Sequence, residues 1–192
     1  MSFNGWTPSP LERGWGEAGQ ITEIPVYECC HNNLAIKQFN NFFPTMITWQ
    51  CKSFSELSNE EIYKILQLRN EVFVVEQNCA YQDCDNKDLK AFHLAAWDGN
   101  NLAAYTRLLP SGYSYPDAAS IGRVCVAFSS RRKNLGKLLM SKSIEQVYHL
   151  FGSVPIKISA QLYLTHFYES FSFVQNGSVY LEDGIEHISM ER

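Results

Sequence analysis

The sequence predicts an α/β (α+β) domain in which a mixed sheet carries helices on both sides. Three observations lead there. Between residues 46 and 192 the periodic segments follow the order β-α-β-β-β-α-β-α-β-β. Midway along, an apolar run over residues 121–128 enters the basic turn Arg131-Arg132-Lys133-Asn134-Leu135-Gly136. A helical pattern follows, with Leu135, Leu138, Leu139, Ile144 and Val147 on one side. The 192 residues are 45% hydrophobic and 14% aromatic, enough to fill the core of one compact domain.

In chain order, Ile47, Trp49 and Cys51 alternate with polar residues and read as a strand. Ser58-Asn59-Glu60-Glu61 has capping-box spacing, with Ser58 at the cap and Glu61 reaching back. Behind it Ile62, Ile65, Leu66, Arg69, Val72 and Phe73 recur at helical spacing, so a helix should run to about Val75. Residues 78–90 form a polar loop. Strands over 91–97 and 102–109 flank Asp98-Gly99-Asn100-Asn101, a hairpin turn by composition. A Tyr-, Ser- and Pro-bearing loop leads to a strand over 119–128. The helix after it should span 135–150, with Gly152 and Pro155 as its stop. A short strand over 156–160 and a helix over 162–171 come next. Strands over 173–181 and 185–190, about the turn Glu182-Asp183-Gly184, complete the pattern.

Residues 1–45 have a different texture. Gly5, Gly14, Gly16, Gly19, Pro8 and Pro10 surround isolated Trp6 and Trp15, and no period of 2 or 3.6 is sustained. The expectation is a poorly ordered extension, with room for a short element within 21–43.

Charge and cysteine usage narrow the function. Sixteen basic and twenty acidic side chains leave a net charge of −4. That argues against a nucleic-acid partner, which needs many cations on one face. No apolar run approaches the roughly 20 residues of a membrane span, and no export signal is visible. Cys29, Cys30, Cys51, Cys79, Cys84 and Cys125 follow neither disulfide nor zinc spacing. Reduced thiols in the cytoplasm and no metal are therefore expected.

Strand, glycine-bearing basic turn and helix are the parts of an anion site. The amides that open a helix have no helical partner, and the helix dipole favours a negative ligand there. Asn134 tolerates a left-handed backbone, Gly136 permits close approach, and Arg131, Arg132 and Lys133 supply charge suited to a pyrophosphate. A solvated basic turn is the plainer alternative.

The same segment resembles the acetyl-CoA motif of the GNAT N-acetyltransferases, Gln/Arg-x-x-Gly-x-Gly/Ala. Arg131 and Gly136 match its ends, while Asn134 stands at the inner glycine. Residues 73–85 (FVVEQNCAYQDCD), Ile121-Gly122-Arg123-Val124, Phe167-Tyr168-Glu169-Ser170-Phe171 and Glu182-Asp183-Gly184-Ile185 are similar to the ElaA branch of that superfamily. Ser172-Phe173 replaces the usual Gly-Phe. The resemblance spans residues 46–192 and implies the acyl-CoA N-acyltransferase fold, whose twisted sheet is mostly antiparallel. Relatives of that branch begin near Met46, which makes an over-long gene start one explanation of residues 1–45.

The resemblance also implies a reaction: transfer of an acetyl group from acetyl-CoA to an amine, by direct attack in a ternary complex. Val124, Cys125 and Val126 would pair through their backbone with the pantetheine arm. Arg131, Arg132, Lys133, Asn134, Leu135, Gly136 and Lys137 would hold the pyrophosphate. His166 stands where many relatives carry a cofactor-contacting asparagine. Tyr168 would protonate the departing thiolate, or would simply anchor its helix through Phe167 and Phe171. For the general base, Glu76, His93 and His187 remain open beside a water-mediated path. Asp83 and Asp85, with Glu76 and Asp88, would attract a cationic acceptor or be ordinary solvated acids. Arg107 and Arg123 would bind an acceptor carboxylate or pair with these acids. A monomer or homodimer fits. A domain that senses acyl-CoA without transferring anything, or a transferase acting on a hydroxyl or with a longer acyl chain, stays an alternative.

Overall fold

The computed structural model describes residues 47–192. The extension expected over residues 1–45 lies outside the described residues. Strand β1 (Ile47–Ser53) leads through a short 3-10 turn into α1 (Asn59–Arg69). The cap is the predicted box: Ser58 Oγ accepts from Glu61 N at 3.2 Å, and Ser58 N donates to Glu61 Oε2 at 2.8 Å. Past Arg69 the helix widens into a π-helical stretch, Asn70–Glu76. Such stretches are rare and cluster at functional sites. Then come β2 (Phe92–Asp98), β3 (Asn101–Leu109), β4 (Ala119–Val126), α2 (Leu135–Phe151), β5 (Ile156–Gln161), α3 (Thr165–Glu169), β6 (Val174–Gln175), β7 (Tyr180–Glu182) and β8 (Ile185–Glu191).

The sheet runs β1-β2-β3-β4-β5-β8-β6, with β7 also on β8. Every pairing is antiparallel except β4 with β5. That parallel ladder is only two pairs long, Ala119↔Ile156 and Ser120↔Lys157. Beyond it the two strands separate. A bulge in β4 marks the departure: the register with β3 slips between Tyr105 and Arg107, and Arg123 takes a left-handed φ of 54°. Bulges bend and twist the strand that carries them. Thr106 Oγ1 pins this one by donating to Gly122 O at 3.1 Å.

Strand periodicity divides the core. Leu94, Ala96, Ile158, Ile188 and Met190 face α2, where Leu139, Met140 and Val147 meet them. Ala95, Trp97, Tyr105 and Cys125 turn to the other face, under Ile65, Leu68 and Val72 of α1 and its extension. Among the described residues, no helix is long and apolar enough to cross a membrane.

Two expectations need correction. The strand expected over 173–181 is two short ones. Gly177, at φ 111°, breaks it, and the exposed residues on either side give no apolar face to continue pairing. The helix expected over 162–171 begins as a 3-10 turn, Leu162–Leu164, and is α-helical only over Thr165–Glu169. Its end is a Schellman cap. Phe173 N donates to Tyr168 O at 3.3 Å and Ser172 N to Glu169 O at 2.9 Å, with Ser172 left-handed at φ 64°. The hydrophobic contact that accompanies such caps is Phe173 against Tyr168, edge to face at 6.1 Å. Serine pays a steric penalty at this φ that glycine avoids. Ser172→Gly should therefore stabilise the fold by about 1 kcal/mol and raise the melting temperature by about 2–4 °C. An unchanged or lower midpoint by calorimetry would contradict the strain argument.

Candidate active site

A cleft of about 1220 Å³ opens where β4 leaves β5. One wall is the edge of β4 past Ser120. Its other edge is held by β3, but along Val124, Cys125 and Val126 the cleft-side peptide groups have no strand partner. An edge of that kind accepts an extended ligand by backbone pairing.

β4 runs on into the basic turn. Phe128–Ser130 forms a 3-10 turn, after which Arg132 and Asn134 both adopt φ 62°. At Asn134 a left-handed residue leads directly into the right-handed helix, an alternation that curls successive amides toward one point, a shape that binds anions. Asn134 caps α2 without a side-chain hydrogen bond, and Leu138 N makes the first helical bond back to Asn134 O at 3.2 Å. The amides of Leu135, Gly136 and Lys137 are therefore left without helical partners at the positive end of a 17-residue helix. A Cβ at Gly136 would meet only Val126 Cγ2, at 3.9 Å. Packing does not demand the glycine, so the space above it is available to a ligand.

Arg131 differs from its basic neighbours. Its guanidinium turns back, donating to Val126 O at 3.0 Å and to both oxygens of Glu76 at 2.6 and 2.7 Å. Arg132, Lys133 and Lys137 form no ion pair with the described residues. The hydrogen bonds from Arg131 hold the Glu76 carboxyl below its ordinary range. Below the turn, Gln161 Nε2 of β5 donates to Gln77 Oε1 at 3.3 Å and ties the π-helical stretch across the cleft.

Tyr168 enters from the α3 side. It is buried, lines the cleft and is wedged edge-on against Phe167 and Phe173. Burial, then the neighbouring Tyr163, push its hydroxyl up to about 12. It keeps its proton throughout the physiological range.

The opposite end of the cleft rests on an ionic network. Arg69, fully buried on α1, reaches Asp83 at 2.8 Å and Asp88 at 2.7 Å. Arg107 of β3 grips Asp85 with both terminal nitrogens, at 2.6 and 2.8 Å, and reaches Asp88 at 3.1 Å. Arg123, aimed by the bulge, donates to Asp83 at 2.6 Å and lies over the Tyr81 ring. Burial alone would raise the Asp85 carboxyl; the hydrogen-bonded Arg107 outweighs it and holds the group at about 2. A carboxyl depressed in the folded state stabilises above its unfolded value, near 3.9, and loses that contribution as pH falls through the folded value. Stability should therefore drop between about pH 4 and pH 2, beyond what an Asp85→Asn variant loses. Parallel melting curves of the two proteins over that range would contradict it.

The family profile described as "Acetyltransferase (GNAT) domain" matches residues 54–192. The chain belongs to the GNAT acetyltransferase family. It is 45% identical over 149 residues to the ElaA protein of Escherichia coli K12, covering 77% of this chain and 97% of that one. The crystal structure of E. coli ElaA superimposes with a TM-score of 0.72 at 44% identity, covering 77% of this chain and 99% of the other. An acyl-CoA N-acyltransferase from Pseudomonas aeruginosa gives 0.73 at 41% identity, with the same coverage. This GNAT family member is an acyltransferase with the expected mixed, mostly antiparallel fold.

The structure gathers some of the sequence candidates and disperses others. Val124, Cys125, Val126, Arg131, Arg132, Asn134, Leu135, Gly136, Lys137 and Tyr168 all line the cleft of this GNAT domain. His93 does not. It is buried, its Nδ1 lies 2.7 Å from Tyr105 Oη and its Nε2 3.1 Å from Asp88 O. Burial, reinforced by Arg69 and Arg107, lowers its proton affinity. It is a structural histidine. His166 points into solvent, its side chain 98% exposed, against Glu169 at 2.8 Å. Glu76 lines the cleft, but both oxygens are occupied by Arg131, which leaves a poor base. Of the two readings for Arg107 and Arg123, pairing with the acids is the one observed, and the same pairs neutralise Asp83 and Asp85. Arg69 was legible only as a charge inside an apolar helical stripe. Tyr163 and Gln161 carried no local signal, because the divergence of β5 from β4 brings them to the cleft.

Proposed function

We propose that this protein moves an acyl group, acetyl in the first instance, from acetyl-CoA to a primary amine by direct transfer with both substrates bound. The observation that carries the reading is the unpaired edge of β4 running directly into a turn of partnerless amides. Strand edge and turn suit an extended arm ending in a diphosphate. Val124, Cys125 and Val126 would pair with the arm, and the amides of Leu135, Gly136 and Lys137, with Arg132 and Lys133, would hold the diphosphate. Arg131 serves by another route than charge: clamped by Glu76, it fixes the turn to the end of β4. The departures at Asn134 and Ser172 leave the chain trace unharmed, since both residues hold the left-handed backbone a glycine would supply.

Bound there, the thioester supplies an activated acyl carbon and a sulfur leaving group. The chain contributes orientation along β4, exclusion of water by the aromatic wall of Phe167 and Tyr168, and a proton held at Tyr168 Oη for the sulfur. The amine enters from the side of the ionic network, which supports the loop over that end of the cleft. Residues 46–192 form the catalytic unit in this reading, and the free described cysteines suit a reducing cytoplasm.

Titration calorimetry and melting shifts with acetyl-CoA, followed by thiol release over a panel of primary amines, test the proposal. Neither heat nor a melting shift would overturn it. Binding without turnover of any amine would favour a coenzyme-sensing domain instead. Tyr168→Phe should lower kcat by about 100-fold with acetyl-CoA affinity unchanged. Since the hydroxyl titrates only near 12, the loss should be uniform over about pH 6–10. A variant at full rate at every pH would remove Tyr168 from the chemistry.

A further inference from the structure

One histidine in the cleft has a defined tautomer. His187 sits mid-strand on β8, lines the cleft and faces away from the α2 side, where Ile188 and Met190 point. Its Nδ1 lies 2.8 Å from the backbone carbonyl of Ile185. A carbonyl oxygen can only accept, so Nδ1 carries the hydrogen, and in the neutral ring Nε2 presents a bare lone pair. Among the described residues Nε2 has no hydrogen-bond partner. The ring lies nearly parallel to that of Tyr180, 6.1 Å away and paired with it in register. On its other side β5 presents Gln161. Carbonyl, stacked ring and strand pairing together restrain the imidazole in one orientation.

We infer that His187 is the general base that deprotonates the acceptor amine. This rests on the acyl-transfer reading above. The contrast with the other candidates is geometric: His93 has both nitrogens occupied outside the cleft, and Glu76 has both oxygens on Arg131. An ammonium acceptor gives one proton to Nε2, which passes it to water. The nitrogen lone pair forms the N–C bond and the C–S bond breaks, its electron pair remaining on sulfur, which is protonated. The nitrogen then sheds its second proton to water, and Tyr168 Oη, having given its proton to the sulfur, regains one from water. Thioester and ammonium thus yield amide, thiol and one released proton. Of the titratable groups, Tyr180 of β7 stacks on the ring, and Glu182 of β7, Asp183 of the following turn, Tyr115 from the 110–118 loop and Cys79 line the same cleft. Glu182 is engaged by Ser159 at 2.8 Å, and the Cys79 thiol by the Asp183 carbonyl at 3.5 Å.

Two measurements on the full chain decide the matter. Long-range ¹H–¹⁵N correlation of His187 should show protonated Nδ1 and unprotonated Nε2 in the neutral ring; the opposite tautomer overturns the inference without any substrate. With acetyl-CoA and spermidine, a lysine peptide or free amino acids as acceptors, His187→Gln should lower kcat by about 100-fold at unchanged acetyl-CoA affinity. It should also erase the acid limb of the kcat/KM profile, and imidazole should restore turnover to His187→Ala. A merely structural histidine would shift the melting temperature and leave that limb in place. Retention of the limb, or of full rate, overturns the role of His187 while leaving the transferase reading intact; failure of the wild type to bind acetyl-CoA overturns the latter alone.

Discussion

Gly136→Asp is expected to abolish acetyl-CoA binding while leaving the apo protein as stable as before, or more so. The two effects have one cause. A carboxylate in the first turn of α2 would take up the amides left free by the capless Asn134 and would favour the helix by about 0.3–1 kcal/mol. The site tolerates the Cβ, whose nearest neighbour would be Val126 Cγ2 at 3.9 Å. The same carboxylate repels a diphosphate and removes two or more charge-assisted hydrogen bonds, each contributing about 1.5–3 kcal/mol. Affinity should fall by at least about 100-fold. Calorimetric titration beside a thermal melt reads both signs. A general loss of stability would mean the glycine serves the fold, and undiminished affinity would mean that the phosphate site lies elsewhere.

Arg69→Ala is expected to be the most destabilising single change in the domain, by about 3–5 kcal/mol. The side chain is fully buried, and its guanidinium holds Asp83 through side chain and carbonyl as well as Asp88. Removal takes the fully buried partner from Asp83 and Asp88, leaving them Arg123 and Arg107 alone, and empties the space beside Tyr105, over which the guanidinium sits at 6.0 Å. The melting temperature should fall by about 6–20 °C. Arg69→Lys should fall between, since an ammonium keeps the charge but cannot serve two carboxylates in the same plane. Whatever folded protein remains should show a raised KM for the amine, because the proposed amine entry lies on the side of the 83–88 segment. Its acetyl-CoA affinity should hold, because α2 is untouched. A destabilisation under about 1 kcal/mol would show that the network is surface-like in its energetics.

Legibility followed the range of the forces involved. The capping box at Ser58, the helical stripe of α2 and the alternation of Ile47, Trp49 and Cys51 in β1 rest on interactions within a few residues. The structure places them as their spacing indicates. The shape of the basic turn was legible for the same reason: strand, left-handed residues and helix start are consecutive. The base was not. Glu76, His93 and His187 are equivalent as sequence, and they differ only in partners 55, 12 and 2 residues away. Likewise, the aspartates of the 83–88 segment read either as an attraction for a cation or as ordinary solvated acids until β3 and the bulge of β4 bring Arg107 and Arg123 against them.

The sequence by itself determined the family, the order of elements and the strand–basic turn–helix segment proposed to hold a diphosphate, because periodicity, capping and turn chemistry are local. The tertiary structure decided which charges are free and which are spent, and which histidine faces the cleft. Those properties depend on the two-pair ladder between β4 and β5 and on the bulge that ends it. Both arise from pairing between distant segments, and no window of neighbouring residues contains them.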